Sequence, residues 1–99
     1  MNRFDYVRPA TIAEAIAALR TPSASVLAGG TNLVDLMKYD VARPERLVDI
    51  NRLPLKTLEL ASDGGMRIGA LASNSDLAWN PEVRQRFPLL ASAVLAGAS

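Results

Sequence analysis

The chain has 99 residues, of which 49% are hydrophobic, and its 11 basic and 10 acidic residues leave a net charge of +1. This balance, together with a content of only 5% aromatic residues, argues against nucleic-acid binding, which needs a basic stripe or a platform of aromatic rings. The chain has no His and no Cys, which excludes imidazole and thiol catalysis and soft-metal ligation by its own side chains.

The chain starts with a predicted strand and helix. Residues 4–8 alternate large and polar side chains, which indicates a short strand ended by Pro9. Thr11 and Glu14 have the spacing of a capping box, in which Glu14 would accept a hydrogen bond from the Thr11 amide. The helix that follows carries an apolar stripe, which we expect to pack in the core. The stripe consists of Ile12, Ala15, Ile16 and Leu19.

The next stretch, Ser25–Leu33, organises the chain. It reads as a central apolar strand, a turn through Gly29 and Gly30, and a helix that runs to about residue 39 with Thr31 or Asn32 as its N-cap. Backbone amides at such a junction point in one direction, and glycines let an anion approach them, which suits a phosphate or pyrophosphate. A tight strand-to-helix connection without a ligand explains the same residues, and Gly-Gly-Thr is too short a motif to decide.

Residues 46–50 form a second apolar strand, which we place beside Val26 and Leu27. With the intervening helix, the two strands make a right-handed strand–helix–strand unit with parallel pairing. Asp49 ends this strand, where ligands gather in parallel sheets, but capping of the following turn is the simpler role for its side chain. The pattern changes near residue 55, which predicts two subdomains, residues 1–55 and 56–99.

The second part begins with an antiparallel hairpin. Residues 57–61 and 66–71 alternate at period two, and Ser62-Asp63-Gly64-Gly65 between them is a strong turn signal. Within the second strand, Gly69 leaves room for a close approach, either of a ligand or the other subdomain, or of a neighbouring strand.

Helices follow the hairpin. Asn74 or Ser75 is a predicted cap, and Asn80 with Pro81 separates two short helices. We expect Trp79 to be packed against the protein. The last run, residues 89–96, is apolar nearly all round, which predicts a helix buried on several sides with Gly97 as its C-cap.

Several segments, taken in this order, resemble the FAD-binding subunit of the molybdenum hydroxylases, the family of xanthine, carbon monoxide and aldehyde dehydrogenases. The amino-acid sequence of the glycine segment is most similar to that of the bacterial aldehyde-oxidising members, and the resemblance extends over the whole chain. The segments are Ala28–Leu33, Asp35–Lys38, Leu47–Asn51, Arg67–Leu71 and Leu95–Ser99.

The resemblance implies an α+β fold of the para-cresol methylhydroxylase type, in which FAD lies between two subdomains. The first subdomain is the β-α-β unit, and the chain would contain only the start of the second. The loop matched to the FAD pyrophosphate offers backbone donors at Gly29, Gly30, Thr31 and Asn32, with further donors on the last two side chains. Its residues are Ser25, Val26, Leu27, Ala28, Gly29, Gly30, Thr31, Asn32 and Leu33.

The resemblance also implies a function. The chain would belong to an FAD-dependent oxidoreductase that relays electrons from iron–sulfur clusters to an acceptor during oxidation of an aldehyde or xanthine-type substrate. A molybdenum-binding large subunit and an iron–sulfur small subunit would be its partners, and this chain would supply no catalytic side chain and no metal ligand. Because family members are longer, we expect this chain alone to be inactive.

Other functions remain open. A non-catalytic phosphate- or nucleotide-binding or assembly module is one alternative, and another flavin oxidoreductase of the same fold is a second. The chain has no apolar run long enough to span a membrane and no signal-peptide core at its start. We therefore expect a cytoplasmic location, or a periplasmic one if a partner carries an export signal.

Overall fold

The computed structural model describes residues 3–97, with Thr31 described in its backbone alone. The chain divides into two compact units between Leu53 and Pro54. In the first unit the elements are β1 (Asp5–Val7), α1 (Ile12–Leu19), β2 (Ala24–Leu27), α2 (Thr31–Lys38) and β3 (Arg46–Asp49). In the second they are β4 (Leu58–Leu60), β5 (Met66–Ile68), α3 (Asn74–Trp79), α4 (Pro81–Arg86) and α5 (Pro88–Gly97). No helix in this described range is long and apolar enough to cross a membrane.

The first unit is built on a parallel sheet with the strand order β1-β3-β2. Val48 of β3 pairs with Val7 of β1 on one side and with Val26 of β2 on the other. The predicted parallel pairing of β2 with β3 is confirmed, but the prediction that β2 is central is wrong. β3 takes that place because Leu47 and Val48 are buried, at 4% and 0% exposure, as a strand flanked on both sides requires.

Helix α1 begins with the predicted cap. The Oγ1 atom of Thr11 accepts a hydrogen bond from the Glu14 amide at 3.1 Å. The return bond differs from the expectation, because the Glu14 carboxylate accepts from the Ala10 amide at 3.0 Å and not from that of Thr11.

The apolar stripe of α1 is not a core element in the described chain. Only Ala15 is buried, while Ile12 and Ile16 are 47% and 52% exposed and Leu19 is also exposed. The prediction of core packing is therefore wrong for these three side chains. The sheet beneath has strands of only three or four residues, too small a surface to cover a stripe two helical turns long.

The hairpin of the second unit matches its prediction. β4 and β5 pair antiparallel with Glu59 opposite Arg67. Gly64 in the turn has φ +89°, a left-handed conformation that glycine adopts without strain. The Asp63 carboxylate accepts from the Gly65 amide at 2.9 Å. The predicted turn residues thus form the turn, which fixes the register of the two strands.

Gly69 follows β5 and lies against the chain's own backbone. A Cβ atom at this position would lie 2.6 Å from the carbonyl carbon of Leu55 and 3.1 Å from the nitrogen of Thr57. The Gly69 amide donates to the Thr57 carbonyl at 2.8 Å. Close strand packing is therefore enough to account for this glycine.

The three helices of the second unit pack around Leu77, Val83 and Ala91. The cap of α3 is Ser73, whose Oγ accepts from the Asp76 amide at 3.0 Å, so the predictions of Asn74 and Ser75 as caps are wrong by one or two residues. Asn80 caps α4 through bonds of 2.9 and 3.2 Å to its side-chain oxygen, and the predicted break between the two helices is confirmed.

Two expectations for the second unit are wrong. Trp79 is 58% exposed, and the Arg84 guanidinium lies 4.7 Å from the centre of its ring, so the indole is a surface group in a cation–π pair. Helix α5 buries Ala91 but leaves Leu89 82% exposed and Leu95 47% exposed. The structure describes α5 as far as Gly97, and the predicted cap there depends on residues 98 and 99, which lie outside the described range.

Candidate functional site: the loop between β2 and α2

The candidate site lies at the carboxyl edge of the three-stranded sheet. All three strands are parallel, so their carboxyl ends meet at one edge. The connection from β2 to α2 spans only Ala28, Gly29 and Gly30. Ligands of open parallel sheets bind at this edge, outside the carboxyl ends of the strands.

The nine predicted site residues fall into three structural groups. Ser25, Val26 and Leu27 are part of β2 and pair with β3, so they anchor the loop. Ala28, Gly29 and Gly30 form the connection, and Thr31, Asn32 and Leu33 form the first turn of α2.

The N-cap of α2 is Gly30. The prediction of Thr31 or Asn32 as the cap is therefore wrong, because the helix begins one residue earlier than a polar cap would allow. The predicted donor on the Thr31 side chain lies outside the described part of the structure. The Asn32 side chain is exposed.

The loop amides have no hydrogen-bond acceptors within the described residues. The helical ladder starts with the Val34 amide, which donates to the Gly30 carbonyl at 2.9 Å. The amides of Gly29, Gly30, Asn32 and Leu33 donate to no acceptor among residues 3–97 with described positions. Unpaired donors at a helix start, together with the positive end of the helix dipole, favour an anion.

The two glycines serve different purposes. A Cβ atom at Gly29 would meet no atom within 4 Å, and Gly29 is not among the residues with positive φ. The fold itself therefore does not require glycine there, and the space beside the Gly29 backbone is open. Gly30 has φ +82°, and a Cβ atom there would lie 3.2 Å from Cδ1 of Leu27. Glycine at this position is required by the backbone turn.

A network of polar side chains is hydrogen-bonded to the loop, and only part of it was predicted from the sequence. Asp49 is 6% exposed, and its Oδ1 accepts a hydrogen bond from the backbone amide of Asn51 at 2.9 Å. This bond is the turn-capping role expected for Asp49. Its other oxygen accepts from the Tyr6 hydroxyl, and Nε of Arg8 lies 3.7 Å away.

The network also fixes the charge on Asp49. The hydrogen bond from Tyr6, followed by those from Asn51 and the charge of Arg8, lowers the pKa of Asp49 against the opposing effect of burial. The same bond raises the pKa of the Tyr6 hydroxyl. Asp49 is thus an ionised acceptor at neutral pH.

Asn51 is the residue that sequence reasoning missed. Its side-chain nitrogen donates to the Ala28 carbonyl at 2.8 Å and to Asp49 at 2.7 Å. Asn51 and Ala28 are 23 positions apart, and no spacing pattern predicts such a contact. The one available signal was that both residues follow the carboxyl ends of strands predicted to be neighbours.

Comparison with known proteins gives one family. Residues 2–99 match the family model described as the FAD binding domain in molybdopterin dehydrogenase. The chain is 49% identical over its whole length to the FAD-binding subunit of an aldehyde oxidoreductase from Escherichia coli, of which it spans 31%. It is 42% identical over 92% of its length to the medium chain of carbon monoxide dehydrogenase from Hydrogenophaga pseudoflava, of which it spans 32%.

Solved structures agree with the sequence relatives. Carbon monoxide dehydrogenase from Oligotropha carboxidovorans superimposes with a TM-score of 0.91 and 31% identity, over 99% of this chain and 35% of that one. The enzyme from Hydrogenophaga pseudoflava gives a TM-score of 0.87 at 41% identity, over 94% and 33% of the two chains. The chain thus spans about one third of the length of the proteins it matches.

Proposed function

The chain belongs to the family of FAD-binding domains of molybdopterin dehydrogenases, and we propose that its loop Ser25–Leu33 holds the pyrophosphate of FAD. FAD is the cofactor of this family, and the fold is the α+β fold that the sequence predicts. The observation that carries the proposal is that the loop amides of Gly29, Gly30, Asn32 and Leu33 donate to no acceptor in the described part of the chain.

The geometry of the loop suits a pyrophosphate. Phosphate oxygens accept hydrogen bonds and carry negative charge, so they satisfy the free amides and the positive end of α2 together. A Cβ atom at Gly29 would meet no atom within 4 Å, so the space beside this backbone is open for those oxygens to approach. In this proposal Ser25, Val26 and Leu27 support the loop by pairing with β3.

For the whole protein we propose the role of an electron-transfer subunit in an oxidoreductase. The relatives named above are an FAD-binding subunit and a medium chain of such enzymes, which supports a molybdenum-binding large subunit and an iron–sulfur small subunit as partners. The bound flavin would supply the redox chemistry. The task of this chain is then to bind FAD and hold its phosphates in place, and we propose an aldehyde or xanthine-type compound as the substrate of the complex.

We further propose that residues 1–55 are the first FAD-binding subdomain and that residues 56–99 begin the second. The division of the structure between Leu53 and Pro54 lies within two residues of this boundary. The change from parallel strands to an antiparallel hairpin at the same point supports it.

The proposal is tested by titration of the protein expressed from its complete gene. FAD, ADP, riboflavin and inorganic phosphate are added separately, and binding is followed by calorimetry. We expect FAD and ADP to compete for one site, and riboflavin, which has no phosphate, to bind far more weakly than FAD. Equal affinity for inorganic phosphate and FAD would favour a general phosphate-binding module, and equal affinity for riboflavin and FAD would contradict the proposed role of the loop.

A further inference from the structure

The side chain of Asn51 joins the loop to the central strand. Its nitrogen donates one hydrogen bond of 2.8 Å to the Ala28 carbonyl and one of 2.7 Å to Oδ1 of Asp49. The side-chain amide has two N–H groups, and both are therefore in use. Because each acceptor is an oxygen without a hydrogen to donate, the network permits only one orientation of this amide.

A bond to the Ala28 carbonyl also sets the direction of the next amide. The peptide group between Ala28 and Gly29 is planar and trans, so its C=O and N–H point in opposite directions. With the carbonyl held toward Asn51, the Gly29 N–H points away from Asn51. The side chain of Asn51 thus fixes where a loop donor is aimed without contacting a ligand itself.

The neighbouring peptide groups are held in other ways. The Leu27 carbonyl accepts from the Ile50 amide at 3.1 Å, and the Gly30 carbonyl accepts from the Val34 amide at 2.9 Å. The peptide between Ala28 and Gly29 lies between these fixed points, and rotation of it would change φ of Gly29, which glycine tolerates. Among the described residues, the side chain of Asn51 is the group that opposes this rotation.

We propose that Asn51 is a positioning residue for FAD, held in place by Asp49, and that it keeps the Gly29 amide directed at the pyrophosphate. The inference rests on the proposed function and adds the residue that sets the donor geometry of the loop. Asp49 is held in turn by the Tyr6 hydroxyl. The positioning group therefore spans the carboxyl edge of the sheet, from β1 through β3 to the loop after β2.

The test uses the variant N51D in the protein expressed from its complete gene. This change keeps the size of the side chain but replaces the N–H donors with oxygen, next to two oxygen acceptors. We expect the affinity for FAD to fall about tenfold or more. We also expect FAD to shift the Gly29 amide resonance in the wild type, and to shift it far less in N51D at saturating FAD.

The matched control is T21V. Thr21 accepts a hydrogen bond of 2.6 Å from the Arg46 guanidinium, at the amino edge of the same sheet. Its loss should lower the stability of the first unit without changing FAD affinity or the Gly29 resonance. If N51D proves too unstable to purify, N51A replaces it, since Ala lacks the donor and adds no charge.

The possible results separate this inference from the proposed function. A tenfold loss of affinity in N51D that exceeds the loss in T21V supports the inference. Wild-type affinity in N51D, or an equal loss in both variants, overturns the inference and leaves the proposed function standing. A wild-type protein that does not bind FAD overturns both.

Discussion

Replacement of Gly29 by Val separates binding from folding at the loop. A Cβ atom at Gly29 meets nothing within 4 Å, and the residue does not have positive φ. The free energy of unfolding should therefore change by no more than about 0.5 kcal/mol. The Val side chain fills the open space beside the Gly29 backbone, where we propose that the pyrophosphate binds. The substitution should therefore weaken FAD binding.

The size of that cost follows from the hydrogen bonds lost. A bond between a charged group and an amide contributes about 1.5–3 kcal/mol. Loss of the bonds from the amides of Gly29 and Gly30 would then cost about 3–6 kcal/mol, which is roughly a 100- to 20,000-fold rise in the Kd for FAD. Gly29→Ala should give a smaller rise, because a single methyl group blocks less of the approach.

The assay is a calorimetric titration with FAD beside a urea unfolding curve for each variant. Ala17→Val is the control, since Ala17 is exposed and lies near the end of α1 that leads to the amino edge of the sheet. It should lose about 0.5 kcal/mol through lower helix propensity and keep its FAD affinity. If Gly29→Val binds FAD as the wild type does, the reasoning about the loop is refuted.

Three further changes test the structure, two of them at the site and one in the second unit. Gly30→Ala should lower the free energy of unfolding by about 1–2 kcal/mol, because Gly30 has φ +82° and a left-handed conformation is unfavourable for Ala; a urea curve equal to that of the wild type would contradict this. Asn80→Ala removes the cap of α4 and should cost about 1 kcal/mol, measured in the same way, and an unchanged midpoint would count against the cap. The pKa of Asp49 is lowered in the folded state, so its contribution to stability is present above the unfolded pKa of about 3.9 and is lost as the pH falls through the folded value. Asp49→Asn should therefore have a lower free energy of unfolding at neutral pH than the wild type, and that free energy should fall less as the pH is lowered. Urea unfolding curves at several pH values measure it, and the same dependence on pH in both proteins would contradict this prediction.

The sequence predicted the elements that depend on local chemistry. The path from β2 through Gly29 and Gly30 into α2 follows from the apolar run, the two glycines and the helical spacing after them. The hairpin follows in the same way from its Asp-Gly-Gly turn. These features depend on residues close in the chain, and the structure contains each of them within a residue or two of its predicted bounds.

Features that depend on distant residues were harder to predict. The period of α1 shows which face is apolar but not whether another element covers it, and Ile12 and Ile16 are exposed. The strand order was missed in part because burial of Val48 from both sides depends on β1 and β2 together. The contact of Asn51 with Ala28 depends on the pairing register, which fixes neighbours that no local pattern indicates.

The most direct measurement is an NMR titration of the protein expressed from its complete gene, with backbone amides assigned and FAD added. We expect the amide resonances of Gly29, Gly30, Asn32 and Leu33 to shift as those of hydrogen-bonded donors do, and we expect ADP, but not riboflavin, to reproduce these shifts. Binding of FAD that leaves these four resonances in place would contradict this expectation.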